Sequence, residues 1–218
     1  MKQQFVVIGL GRFGSSLALT LTENGYEVLG IDKDEEVVND LSNRLTHCVV
    51  ADTTDEGVLQ SLGIRNFDCA VVAIGSDIQA SVLTSILLKD FGVKTVVAKA
   101  LSSVHGKVLD RIGIDRVIYP ERDMGARVAH QLMSPNLLDY IELSKDYTLA
   151  EVSVPSRLAG YSLKDLNIRA KFGLNVVAIH KSNGMNISPS ANDVVEEKDV
   201  MVIIGSIEQI EKFQKQFV

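Results

Sequence analysis

Residues 4–14 read Gln-Phe-Val-Val-Ile-Gly-Leu-Gly-Arg-Phe-Gly, and residues 30–32 read Gly-Ile-Asp. The apolar run at 5–8 has the form of a strand buried on both faces. It runs into Gly9-Leu10-Gly11-Arg12-Phe13-Gly14, a G-x-G-x-x-G. Residues 15–24 then place Leu17, Ala18 and Leu21 at helical spacing and stop at Gly25. A second strand over 27–31 ends in Asp32. Gly9 permits a sharp turn off the strand, Gly11 lets a pyrophosphate approach the backbone, and Gly14 allows the helix to lie close on the sheet. The helix N-terminus offers N–H groups and a partial positive charge to phosphate. Asp32, at a strand tip, is placed to accept hydrogen bonds from ribose hydroxyls. A lone glycine motif says little, but strand, helix, strand and acid framing it point to nucleotide binding.

Outward from this unit the alternation repeats. Strands are expected at 47–51, 69–74, 95–100 and 116–119. Between them lie helices at 34–45, from 55 to Gly63, at 77–91 and at 104–112, with a last one at 121–133. Asp34, Asp55 and Asp77 stand where helix N-caps belong. Strict strand–helix alternation implies right-handed crossovers and an α/β, Rossmann-like, doubly wound parallel sheet in the order 3-2-1-4-5-6. Its ligand crevice lies at the carboxyl ends of the strands, which carry Gly9, Asp32, Asp52, Gly75, Lys99 and Glu121. The helix at 77–91 has two apolar stripes, Ile78/Val82/Ile86 and Leu83/Leu87/Phe91. A surface helix needs only one, so the second suggests an assembly interface.

Near Ser134-Pro135-Asn136 the pattern changes. Residues 136–143 read as a connector. Strands follow at 148–154, 174–180 and 199–205, with a short helix at 162–168, an edge segment at Ile187-Ser188-Pro189, and a final helix striped by Ile207, Ile210, Phe213 and Phe217. The expected division is 1–134, a nucleotide-binding domain, and 135–218, a connector with a small α+β domain.

The chain has 218 residues, 46% of them hydrophobic, enough for a substantial core. Its net charge of −6 argues against a nucleic-acid partner. Its two cysteines, Cys48 and Cys69, sit in apolar strand segments and read as core residues of a reducing compartment. No signal peptide or apolar stretch of about 18 residues is visible, so a cytoplasmic protein is expected.

Arg12, inside the glycine loop, favours a phosphate-dense ligand. Asp32 repels a 2′-phosphate and so disfavours NADP. An NAD(H)-dependent oxidoreductase, or a redox sensor, is the alternative reading. It needs an acid or base beside the nicotinamide, and His47, His105, His130 and His180 form no recognisable dyad. The two on helices, His105 and His130, read as partly exposed. Lys99 and Glu121 lie near the crevice, and a carboxylate beside phosphates can hold a divalent cation.

Several stretches together resemble the RCK (KTN) gating proteins, specifically the cytosolic regulatory subunits of Ktr-type bacterial potassium transporters. They are the glycine loop with Asp32, Ala51-Asp52-Thr53-Thr54, Val72-Ala73-Ile74-Gly75, Val97-Ala98-Lys99-Ala100, Tyr119-Pro120-Glu121-Arg122-Asp123-Met124-Gly125, and, toward the C-terminus, Asp165 through Gly173. The resemblance covers essentially the whole chain. It implies a non-enzymatic subunit in a homo-octameric ring, a tetramer of dimers, peripheral on the inner face of the membrane through a potassium-conducting partner. It further implies that ATP activates and ADP inactivates.

By the same resemblance Asp32 holds the ribose, and Gly11 and Phe13 line the phosphates. Arg12 touches terminal phosphates, including the partner subunit's. Asp52 and Thr53 flank the adenine. Glu121 sits by the phosphates and a divalent cation at the dimer interface. Gly9, Gly14, Lys33, Ala73, Ile74, Gly75, Gln79 and Lys99 complete the implied nucleotide site. Cyclic di-AMP, inhibitory, is implied at the C-terminal domain, with Ile168, Arg169, Asn175, Val176, His180 and Pro189 as its contacts.

Overall fold

A computed structural model describes residues 3–133, 137–144 and 146–217. Its contacts divide the chain into two compact units, residues 1–122 and 123–218. The strands of the first unit are β1 (Gln4–Ile8), β2 (Glu27–Asp32), β3 (His47–Val50), β4 (Cys69–Val72), β5 (Thr95–Lys99) and β6 (Arg116–Ile118). Its helices are α1 (Arg12–Glu23), α2 (Glu35–Leu41), α3 (Glu56–Ser61), α4 (Ile78–Asp90) and α5 (Ser103–Arg111). α6 (Pro120–Met133) begins in this unit and continues into the second. The six strands are parallel and run β3-β2-β1-β4-β5-β6, the order expected from the sequence.

Burial explains why these strands read as continuous apolar runs. Alternate residues serve opposite faces. Val6, Ile8, Leu29, Ile31, Ala70 and Val72 pack with Leu59, Leu88 and Leu109 of α3, α4 and α5. Val7, Val28 and Val71 pack with Ala18, Val38 and Leu41 of α1 and α2. Both faces of the sheet are therefore covered, as a parallel sheet requires.

Two helices differ from expectation. α2 ends at Leu41 rather than running to 45. α4 presents small polar residues inward: Ser81, Thr84 and Ser85 are buried with Leu88. Val82, Leu87 and Phe91 pack beside the core, whereas Ile78 and Leu83 stay 47% and 43% exposed. Neither apolar stripe is the buried face.

The second unit adds β7 (Leu137–Glu142), β8 (Thr148–Ser153), α7 (Leu163–Leu166), α8 (Ile168–Phe172), β9 (Asn175–Lys181), β10 (Gly184–Asn186), β11 (Val200–Gly205) and α9 (Ile207–Phe217). Its sheet is antiparallel in the order β10-β9-β11-β8-β7. Val152, Leu166, Ile168, Phe172, Ile179, Met201, Ile203 and Phe213 fill its core, Phe172 and Phe213 meeting edge to face.

Two elements correct the sequence reading. Residues expected as a connector form edge strand β7. A register shift between Leu137 and Asp139 interrupts the period-2 pattern by which a strand is recognised. The Arg127 guanidinium and Asp139 form an ion pair, and Gln131 Nε2 donates to the Leu138 carbonyl at 2.6 Å. The single helix expected at 162–168 is two helices, α7 and α8, with Asn167 between them at φ 47°. Asparagine tolerates that left-handed conformation, so the break carries no glycine signal. The Ser134-Pro135-Asn136 boundary lies outside the described residues. Among the described residues no helix is long and apolar enough to cross a membrane.

Candidate functional site

The loops at the carboxyl ends of the parallel strands enclose a crevice of about 470 Å³. Its first wall is the glycine loop. Gly9 turns off β1 at φ 89°, and a Cβ there would stand 2.9 Å from the Ile74 nitrogen. A Cβ on Gly14 would press into the Gly9 carbonyl oxygen, so Gly14 lets α1 close on the loop. A Cβ on Gly11 would meet nothing within 4 Å; it would project into open space through which a ligand can approach the loop backbone.

α1 differs from its neighbours at its start. The first turns of α2, α3, α4 and α5 are capped by the side chains of Asp34, Asp55, Asp77 and Ser102. α1 follows Gly11 and has no side-chain cap. Its first-turn N–H groups are the kind that bind an anion.

The second wall holds Asp32. Its Oδ2 accepts from the Leu10 N–H at 2.6 Å and its Oδ1 from the Asp34 N–H at 3.0 Å. These bonds fix the carboxylate at the mouth of the crevice and leave each oxygen a second lone pair for a hydroxyl donor. Beyond β3, Asp52 Oδ1 accepts from both the N–H and the hydroxyl of Thr54, at 2.9 and 2.7 Å. Those bonds from Thr54 hold the Asp52 carboxyl below the usual carboxylate range, with lesser help from Lys33. Thr53 is buried, and its hydroxyl lies 2.9 Å from that of Thr84 on α4.

The far wall is cationic. Lys99, at the end of β5, donates to Glu121 Oε1 at 2.5 Å. This hydrogen bond holds the Glu121 carboxyl below its ordinary range, and the Arg12 charge adds to the effect. Lys99 Nζ also lies 5.9 Å from the centre of the Phe13 ring.

Of the nucleotide residues expected from the sequence, Gly9, Gly11, Arg12, Phe13, Asp32, Lys33, Asp52, Thr53, Ala73, Ile74, Gly75, Lys99 and Glu121 all line this crevice. Gly14 and Gln79 do not; Gly14 is buried in packing and Gln79 is exposed on α4. Reading the sequence missed Ser76, Asp77, Ala80 and Leu101, which also line it. The Asp77 side chain was recognisable as a cap, but only the fold shows that the cap faces the crevice.

His105 corrects another expectation. It is 2% exposed rather than partly exposed. Its Nδ1 accepts from the Leu101 N–H at 3.3 Å, and burial lowers its pKa. His47 and His180 are exposed at strand ends, and the side chain of His130 lies outside the described residues. Cys48 and Cys69 are free, half-buried thiols, and burial is the chief cause that raises both pKa values. Among the described residues no three His, Cys, Asp or Glu side chains group as a metal site.

In the second unit Ile168 belongs to the core and Val176 packs partly against it. Arg169, Asn175 and His180 are exposed, and Pro189 is half-buried.

The geometry can now be set beside known proteins. Residues 5–120 match the TrkA-N domain model and residues 148–218 the TrkA-C domain model. The chain is 49% identical to the Ktr system potassium uptake protein C of Bacillus subtilis (strain 168), over 99% of this chain and 97% of that one. It is 44% identical to the Ktr system potassium uptake protein A of the same organism, covering 98% and 96%. The solved structure of the GsuK channel bound to NAD has the same fold, with a TM-score of 0.64 at 17% identity, covering 96% of this chain and 38% of that longer one. Matching domain models across both units and near half identity over almost the full length place the chain in the RCK (KTN) family, as a regulatory subunit of the Ktr potassium-uptake type.

Proposed function

We propose that this chain is the nucleotide-sensing gating subunit of a potassium-uptake system, activated by ATP and inactivated by ADP, with no catalytic role. The observation that carries the reading is the polarity of the crevice. One wall holds the Asp32 carboxylate on two backbone N–H bonds. The glycine loop brings Arg12 and the uncapped start of α1, and the far wall brings Lys99. A ligand with a ribose at one end and dense phosphate at the other matches that layout.

In this reading Asp32 accepts from the ribose, and Gly11, Phe13 and the first turn of α1 take the phosphates. Arg12 reaches terminal phosphates, including those held by a partner subunit. Asp52 and Thr53 flank the adenine, Lys33, Ala73, Ile74 and Gly75 line the remainder, and Glu121 holds a divalent cation at the dimer interface. The half-exposed Ile78 and Leu83 on α4 support assembly into a homo-octameric ring, a tetramer of dimers. That ring would sit on the potassium-conducting membrane subunit, peripheral on the cytoplasmic face. Inhibition by cyclic di-AMP is assigned to the second unit, where Arg169, Asn175 and His180 are exposed beside Val176 and Pro189.

NAD(H) is the second reading, favoured by the NAD-bound GsuK channel and by an Asp32 that suits any adenosine ribose. Competition of ATP, ADP and NADH against a fluorescent ATP analogue on the purified chain decides between them. Strong competition by ATP and ADP with weak competition by NADH is expected. Tight NADH binding with negligible ATP binding would replace the adenine-nucleotide reading with a redox-linked one. For the second unit, cyclic di-AMP is titrated onto the full chain and its R169A variant; no binding to the parent removes that assignment.

A further inference from the structure

Among the described residues Lys99 is the one lysine or arginine that is buried. A buried ammonium needs a counter-charge, because its lost hydration is otherwise uncompensated. Glu121 supplies it, and the pair is unequal: the lysine side chain is 9% exposed and the glutamate 67%. The ammonium is fixed in the crevice wall, while the carboxylate reaches it from the first turn of α6. A Cβ on Gly75 would stand 3.6 Å from the same Nζ, and the Phe13 ring of the glycine loop lies on another side. Three walls of the crevice converge on one cation.

Its position relative to Asp32 sets what can reach it. Asp32 ends β2 and Lys99 ends β5, with β1 and β4 between them. Three strand spacings separate the two, about 14 Å across the sheet. A nucleotide anchored by its ribose at Asp32 would extend its phosphates toward Lys99, the outermost reaching farthest.

We propose that Glu121 holds Lys99 as an internal stand-in for a terminal phosphate, and that a nucleoside triphosphate displaces the carboxylate whereas a diphosphate does not. This rests on the nucleotide reading above and adds the residue pair that tells its two ligands apart. The exchange favours the phosphate for two reasons. A terminal phosphate brings more charge and more acceptor oxygens to the ammonium than a carboxylate does. Glu121, already mostly in water, loses little on release. The result is a change of partner at the first turn of α6 that depends on the third phosphate alone.

The test titrates ATP and ADP in EDTA, so that no divalent cation bridges Glu121 and phosphate. The full chain is compared with E121Q, K99Q and the double variant. Removing the competing carboxylate is expected to raise ATP affinity roughly threefold, in keeping with an ion pair whose carboxylate partner is largely exposed. ADP affinity stays unchanged, and E121Q has no effect once K99Q is present. An E121Q effect shared equally by ATP and ADP, or one that persists with K99Q, overturns the proposal, because Glu121 would then act only through its general negative field. If K99Q does not fold, the contrast between ATP and ADP in E121Q alone decides. A parent chain that binds neither nucleotide removes the nucleotide reading itself, and the role of this pair with it.

Discussion

Asp32 carries one structural load and one proposed one, ribose binding, and substitution can separate them. Its carboxylate braces the glycine loop through the Leu10 N–H at 2.6 Å and the turn before α2 through the Asp34 N–H at 3.0 Å. Leu10 is almost fully buried, so its amide depends on this acceptor. Asp34 is exposed, and water can replace the acceptor there. D32N keeps one carbonyl oxygen and can retain the Leu10 bond. D32A orphans a buried amide, at a cost of about 1–3 kcal/mol.

Nucleotide binding ranks the same variants differently. A ribose hydroxyl donating to a carboxylate contributes about 1.5–3 kcal/mol, or roughly tenfold to a hundredfold in affinity. Both D32N and D32A lose the charge, so both are expected to bind ATP at least about tenfold more weakly. Urea unfolding followed by circular dichroism should place D32N close to the parent and D32A well below it. Competition against a fluorescent ATP analogue should place D32N close to D32A. A D32A variant as stable as the parent would show that the carboxylate does not brace the loop. A D32N variant that binds ATP like the parent would remove Asp32 from ribose recognition.

Other perturbations have equally definite outcomes. R12A should narrow the affinity gap between ATP and ADP if, as proposed, Arg12 adds its charge where their phosphates differ; an unchanged affinity ratio refutes that assignment. A Cβ on Gly106 would drive into the Tyr119 hydroxyl oxygen, so G106A should cost about 1–3 kcal/mol by overpacking. Because Tyr119 lies two residues before Glu121, the variant should also disturb nucleotide affinity, and unchanged stability and affinity would contradict the contact. T84V strips the buried Thr53 hydroxyl of its partner, at about 1–3 kcal/mol, whereas T53V/T84V removes both groups and should recover most of that loss; strictly additive losses in urea unfolding would rule out the pair. The Asp115 carboxyl is held below its ordinary range, chiefly by the Val96 N–H and then by Lys89. A depressed carboxylate stabilises the fold above its unfolded pKa, near 3.9, and that contribution is lost as pH falls through the lower native value. D115N should therefore be less stable than the parent at pH 7 and converge with it in strong acid; a constant difference across that range would refute the linkage.

The sheet was legible because its signals are local and redundant. Each parallel strand is an apolar run, each crossover helix in the first unit after α1 begins at Asp or Ser, and the glycine loop and Asp32 lie within one βαβ unit. What escaped notice lacked a local signal. β7 hides behind a register shift. The join between α7 and α8 turns on Asn167 in a conformation usually marked by glycine. α4 buries Ser81, Thr84 and Ser85, so hydrophobic periodicity points to the wrong side of the helix. Ser76, Asp77, Ala80 and Leu101 enter the crevice only because the topology gathers loops that follow different strands.

The pairing of Lys99 with Glu121 belongs to that last class, and it shapes how the crevice should be divided. On the reading proposed above, the groups that set whether an adenosine binds, the Asp32 carboxylate and the first-turn backbone N–H groups of α1, lie on the side of β1 and β2, and the Arg12 side chain extends from there toward the terminal phosphate. The residues that can distinguish a third phosphate, Lys99 and Glu121, lie beyond β4, on β5 and the start of α6. A perturbation at the first pair should move ATP and ADP affinities together. One at the second should move them apart. If the chain reports the charge of its nucleotide rather than its presence, variants on the β5 side should alter that report while leaving adenosine affinity near the parent value, and AMP supplies the control. AMP ends too near Asp32 to reach Lys99, so its affinity should fall with D32N and stay unchanged with E121Q. An AMP affinity that responds to E121Q as strongly as that of ATP would mean the two sides of the crevice are not separate in function.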